Sequence, residues 1–237
     1  MPARFAELDF RSTPRGDVSL RRRHDAVLGV QVFEVLLGDE YLMSSAFTVA
    51  EEELSRLALA ELGPGPLDVV VGGLGLGYTA AAALADERVR TLHVVDAFDA
   101  VIDWHRRRLL PTSSALIDDP RCHLVPGDFF AGLRDPAAWA LADSGTVHAV
   151  LVDIDHSPRH LLHPEHAKLY RRDGLAALAE RLAPGGVFGL WSDDPPDQRF
   201  VDDCAAVFDR VAAATVPFPN PLTGGQSANT VYVAVRA

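Results

Sequence analysis

The chain has 237 residues, enough for one α/β domain with a modest extension that buries roughly 70–75% of its unfolded surface without disulfide or metal staples. Apolar residues make up 48% and charged residues 23%, which excludes a disordered or collagen-like chain. Set against 33 acidic residues, 22 basic ones leave a net charge of −11, so the broad electropositive surface that nucleic acid or anionic lipid requires is missing.

Cys122 and Cys204 lie in no CxxC or zinc spacing and read as reduced thiols. Residues 1–10 carry charges where a signal peptide needs an apolar stretch, and the longest uncharged run, 69–85, is interrupted by glycines. These features predict a cytoplasmic protein that does not enter a membrane.

Residues 1–46 read as a small β-rich extension, with alternation over 18–22 and more clearly over 30–37. Thr48 followed by Glu51 has capping-box spacing and opens a helix whose apolar face is Leu54, Leu57, Ala58 and Leu62. Pro64-Gly65-Pro66 ends that helix. The catalytic domain is placed at 47–237, with its core from about residue 67.

From there strands predicted at 67–71, 91–95, 122–125, 147–152 and 187–191 alternate with helices predicted at 78–86, 98–109 and 164–182. This alternation implies a parallel sheet with right-handed crossovers. The segment 127–143, divided by Pro136, has no clear assignment. Phe200, Val201, Cys204, Val207, Phe208 and Val211 form the cleanest helical stripe, which places Cys204 in the core. Two further strands, 211–219 and 230–235, are joined by a loop alone and can pair antiparallel.

The richest chemical signal is a buried strand running through Gly72, Gly73, Gly75 and Gly77 into a helix. Glycines allow a ligand to approach the backbone, and a helix start supplies unpaired N–H groups. The same string could be a tight packing turn with no ligand. Asp96, 19 residues beyond Gly77, ends the next strand, where a carboxylate can accept the hydroxyl protons of a ribose or cap the following helix.

These strings, with Asp119-Pro-Arg121, Gly127-Asp128, His148 to Asp153, Leu182 to Gly186 and Val216 to Pro219, resemble the spermidine synthases and their spermidine-synthase-like relatives over about 67–235. The resemblance implies a Rossmann-like class I S-adenosylmethionine (SAM) methyltransferase fold, a seven-stranded mixed sheet with an antiparallel last strand, and a homodimer. It also implies a donor site of Gly72, Gly73, Gly75, Gly77, Asp96, Asp128 and Phe129, with Asp96 on the ribose, Asp128 on the adenine amino group and Asp153 facing the reacting centre.

Three departures stand out. Gly75 occupies the position of the aspartate that neutralises the donor's amine in polyamine-forming members. Asp153-Ile-Asp-His-Ser-Pro158 replaces their Asp-Ser-Ser/Thr-Asp-Pro string, so either Asp155 or His156 takes the second acidic position. Their amine-clamping Tyr-His-Glu string has no counterpart in 46–53.

The catalytic candidates are therefore Asp153, Asp155 and His156, any of which could keep an amine acceptor neutral. His156, His160, His163 and His166 could be solvated, could include an acid–base group, or could bind a metal, but no zinc spacing appears and no metal is assigned.

The expected activity is transfer from SAM, or its decarboxylated form, to a small-molecule acceptor. Methyl transfer is favoured over aminopropyl transfer, because Gly75 replaces the amine-neutralising aspartate, which removes its repulsion of a carboxylate and leaves backbone N–H groups near the helix start that suit an anion. A non-catalytic nucleoside-binding relative is the alternative from another class.

Overall fold

The computed structural model describes residues 5–141 and 145–237, so the ends of the predicted segments 1–46 and 127–143 fall partly outside the described residues. In chain order it runs β1 (Phe5–Thr13), β2 (Gly16–Asp25), β3 (Val30–Leu37), β4 (Glu40–Ser44), α1 (Val49–Ala60), β5 (Leu67–Gly72), α2 (Tyr78–Leu84), β6 (Val89–Asp96), α3 (Asp99–Arg106) and α4 (Ser113–Ile117). The second half comprises β7 (Cys122–Pro126), α5 (Phe129–Gly132), β8 (Val147–Val152), α6 (Arg172–Glu180), β9 (Leu182–Ser192), α7 (Gln198–Ala205), β10 (Arg210–Asn220) and β11 (Gly225–Val235), with short 3₁₀ turns at Pro136–Trp139 and Pro164–Lys168.

β1 to β4 form an antiparallel meander, and the other strands form a seven-stranded sheet in the order β10-β11-β9-β8-β5-β6-β7. Neighbours from β9 to β7 pair parallel, while β11 is antiparallel to both β9 and β10. The expected mixed sheet, antiparallel last strand and N-terminal β extension are all present. β5 and β8 are buried almost throughout, which is why they read as continuous apolar runs.

Val18, Leu20 and Val35 of the small sheet pack in one cluster with Leu54 and Ala58 of α1 and Val69 and Val71 of β5. The two sheets therefore share a core. The opposite face of the large sheet carries Leu175 and Leu178 of α6 with Phe200 and Cys204 of α7, which puts Cys204 in the core as expected.

The structure corrects three local expectations. The Thr48–Glu51 capping box does not form: Thr48 makes no side-chain cap, and its hydroxyl donates to Glu52 at 3.0 Å. The predicted helix 164–182 is two pieces, because Pro164 starts a 3₁₀ turn and α6 begins only at Arg172. The stripe from Phe200 to Val211 is helical only to Ala205; the chain then turns so that the Val207 and Phe208 N–H groups both donate to the Cys204 carbonyl, which keeps Phe208 buried without a helix.

One carboxylate ties the small sheet to the helical layer. Asp9 Oδ2 accepts from the indole N–H of fully buried Trp104 at 2.8 Å, from Arg107 at 2.7 Å and from Arg11 at 3.1 Å. Asp9→Ala leaves the Trp104 N–H without a partner and should destabilise the protein by about 1–3 kcal/mol in chemical denaturation. An unchanged midpoint contradicts this anchoring role.

Candidate active site

A pocket of about 380 Å³ lies at the C-terminal ends of β5 to β8, roofed by β3, β4 and the β1–β2 turn. It sits where the sheet divides, with β6 on one side of β5 and β8 on the other, the place where open α/β sheets form their crevice. The Asp153 N–H donates to the Gly72 carbonyl at 2.8 Å and closes that junction.

The glycine loop is shaped by close approach. Gly73 has φ +92°, and a Cβ there would run into the Asp153 carbonyl; Gly75 has φ +45°, and a Cβ there would run into Met43 Sδ of β4. Both readings of the loop thus have support, since the glycines pack tightly and also line the pocket.

The loop amides are engaged. Leu74 N–H donates to Asp96 Oδ2 at 2.8 Å, with Gly75 N–H at 3.4 Å, and Leu76 N–H donates to Met43 Sδ at 2.7 Å. The expectation that Gly75 frees amides to receive a donor carboxylate is therefore overturned. Beneath the loop, buried His105 Nε2 stands 2.9 Å from the Gly75 carbonyl, and Thr112 Oγ1 donates to the Leu76 carbonyl at 2.5 Å.

Asp96 also accepts from Phe98 N–H at 2.8 Å. Burial pushes its carboxyl up, and the backbone N–H groups of Phe98, Leu74 and Gly75 work against that rise. Asp128 caps α5 through Phe130 N–H at 2.9 Å, and Arg15 of the β1–β2 turn stands 3.9 Å from its other oxygen. Phe129 is buried, stacks on Trp139 with centroids 5.0 Å apart, and presses its ring against Gly72.

Asp153 faces the pocket, and the Thr79 hydroxyl donates to its Oδ2 at 2.6 Å. Beside it is Glu51, which the sequence reading treats only as a capping partner. Burial pushes Asp153 up to about 6; burial and then the Asp153 charge push Glu51 up to about 8. Glu51 shares a buried stripe with Leu54, Ser55 and Ala58. A carboxylate at the start of an apolar helical stripe is the sequence signal that could have found it. The region 46–53 does therefore supply an acid to the site.

Asp155 is placed differently from expectation. It is 2% exposed and accepts from Leu162 N–H at 2.7 Å, His166 Nδ1–H at 2.8 Å and Tyr170 O–H at 2.8 Å. These three donors take most of its acceptor capacity, so Asp155 anchors segment 155–170 while also lining the pocket.

His156 stands at the pocket wall with Nε2 3.2 Å from Glu40 of β4 and its ring 4.8 Å from His160. His163 instead caps the 3₁₀ turn, accepting from Glu165 N–H at 3.2 Å. The four histidines are thus split between two pairs, and among the described residues no group of three or more ligating side chains is arranged to hold a metal. The indole N–H of Trp191, also in the pocket wall, is buried without a hydrogen-bond partner.

No protein-family model matches the chain. Polyamine aminopropyltransferase 2 of Pseudomonas aeruginosa is 31% identical over 165 residues, covering 64% of this chain and 43% of that protein. Putrescine N-methyltransferase 1 of Nicotiana tabacum is 28% identical over 182 residues, covering 73% of this chain and 45% of the other. The chain spans less than half the length of these two relatives. In fold it matches a spermidine synthase in complex with the transition-state analogue AdoDATO, with a TM-score of 0.75, 17% identity, and coverage of 98% of this chain and 74% of the other. The spermidine synthase of Thermotoga maritima gives a TM-score of 0.72 at the same identity, covering 98% of this chain and 72% of that one.

Glu51 generates a pH prediction. Its carboxyl is raised on folding from 4.5 to about 8, so across that interval the folded protein holds a proton that the unfolded chain has lost. Its contribution to stability is present below pH 4.5 and is lost as pH rises toward 8. Glu51→Gln should remove this loss and leave the variant ~1–3 kcal/mol more stable than wild type at pH 8. Parallel stability curves for the two proteins contradict the assignment.

Proposed function

We propose that the chain, which is similar in sequence to polyamine aminopropyltransferases and putrescine N-methyltransferases and in fold to spermidine synthases, is a spermidine synthase-like transferase that moves the aminopropyl group of decarboxylated SAM to a small amine. The observation that carries this reading is the charge of the pocket. Glu51, Asp96, Asp128 and Asp153 line it against one permanent cation, Arg15, which already stands 3.9 Å from Asp128. A donor carrying a sulfonium and an ammonium complements such walls, whereas SAM brings a carboxylate and the loop amides that would receive it are engaged.

This reverses the preference for methyl transfer drawn from the sequence. Methyl transfer from SAM stays as the second reading, favoured by Gly75, which offers no carboxylate to the donor's amine, and by the N-methyltransferase relatives.

The acceptor enters as an ammonium beside Glu51 and Asp153 and gives a proton to Asp153, whose Oδ2 is held by Thr79. The ammonium's charge, acting before that transfer, restores the acidity of the two carboxyls, so the proton that burial held on them has already left to water and Asp153 is ionised to receive the amine's proton. The freed lone pair attacks the aminopropyl carbon on sulfur. The new C–N bond forms as the C–S bond breaks, and its electron pair stays on sulfur as a neutral thioether. The sulfonium is already activated, so the protein's main work is to align nucleophile, carbon and sulfur and to hold the amine neutral.

The test is turnover with each donor over a panel of small amines. Decarboxylated SAM should be used in preference to SAM, and Asp153→Asn should lower kcat by about 10²–10³ while leaving methylthioadenosine affinity within about twofold of wild type. Methylated amines formed from SAM alone would establish the second reading, and no product from either donor would leave a binding protein.

A further inference from the structure

We propose that His166 reads the nucleobase of the donor, accepting a hydrogen bond at Nε2 from the exocyclic amino group of an adenine; this rests on the adenosyl-donor reading above. The ring is 7% exposed, lies in the pocket wall, and is fixed in tautomer and orientation by its neighbours. Nδ1 stands 2.8 Å from Asp155 Oδ1, and the same carboxylate also receives Leu162 N–H at 2.7 Å and Tyr170 O–H at 2.8 Å. With the Asp155 carboxylate as acceptor, the Nδ1 hydrogen points to Oδ1, and in that tautomer Nε2 is the ring's acceptor.

Position points to the base and not to the reacting carbon. The imidazole stacks on Phe130, with centroids 4.0 Å apart and planes 22° from parallel, and the Phe130 N–H donates to Asp128 Oδ1 at 2.9 Å. One aromatic residue thus joins two acceptors, the Asp128 carboxylate and His166 Nε2, in the same pocket wall. An amino group has two N–H donors to satisfy. A purine with a carbonyl oxygen at that position would set an acceptor against two acceptors, and sites built to hydrogen-bond a donor reject such analogues strongly.

Asp155 becomes a positioning residue in this scheme, since it acts through the imidazole. The sequence points to His166 only as one of four histidines, and the role follows from the Asp155 contact and the Phe130 stack.

The experiment measures dissociation constants of 5′-methylthioadenosine, its N6-monomethyl and N6-dimethyl derivatives and 5′-methylthioinosine by calorimetry on wild type, His166→Phe and His166→Gln. Wild type should prefer the adenosine ligand to the inosine ligand by about 30-fold or more, and should lose affinity at each N–H removed. His166→Phe keeps an aromatic ring against Phe130 but should cut the adenosine-to-inosine ratio about tenfold, while His166→Gln, which offers an amide oxygen, keeps most of it. Equal weakening of both nucleosides in His166→Phe, or a wild type indifferent to monomethylation, overturns the role of His166 while leaving the donor reading intact. A wild type that binds none of the four ligands overturns the donor reading and this role with it. Where His166→Phe fails to fold, the comparison of wild type with His166→Gln carries the test, and a wild type indifferent to monomethylation still overturns the two-acceptor arrangement.

Discussion

Burial of two like-charged carboxyls, Glu51 and Asp153, against one another is the constraint from which the rest of the site follows. Neither group is stable as an anion out of water, and both are pushed up, to about 8 and about 6. They stay buried because each is attached to an element that cannot move. Asp153 follows β8, which is covered on both faces, and Glu51 rides on α1, whose Leu54 and Ala58 are fully buried in the core shared by the two sheets. On the proposed function, a cationic ligand arriving between these two acids converts a destabilising pair into a binding site.

The small sheet is part of the same device. Met43 fills the space above Gly75 and takes the Leu76 N–H, Glu40 meets His156 at the pocket wall, and Arg15 brings the pocket's permanent cation toward Asp128. Asp9 locks that sheet to Trp104 and Arg107, so the roof of the pocket is tied to the helices around it. The roof therefore sets the space left above the glycine loop.

The parts of this architecture visible in the sequence are those set by local pattern. β5 and β8 stand out because strands covered on both faces are apolar throughout, and β3 because it alternates. β1 and β4 are sheet edges with no fully buried residue, so they leave no such pattern. The pocket-lining residues Gly73, Asp96 and Asp153 were legible because strand ends in a parallel sheet fall at one edge. Glu51 was not, because its spacing from Thr48 imitates a capping box while its spacing to Leu54, Ser55 and Ala58 is that of a buried stripe. Asp155 was legible as an acid in the right place but not as the anchor of three donors, since Leu162, His166 and Tyr170 lie up to 15 residues further along the chain.

On the proposed function, Glu51 and Asp153 together receive the substrate's ammonium. Calorimetry of a diamine binding to the protein with methylthioadenosine present, run at pH 7 in buffers of different ionisation enthalpy, counts the protons exchanged on binding. Displacement of the protons that burial holds on these carboxyls should release about one proton per site in wild type and much less in Glu51→Gln. Proton uptake, or the same release in both proteins, would contradict it.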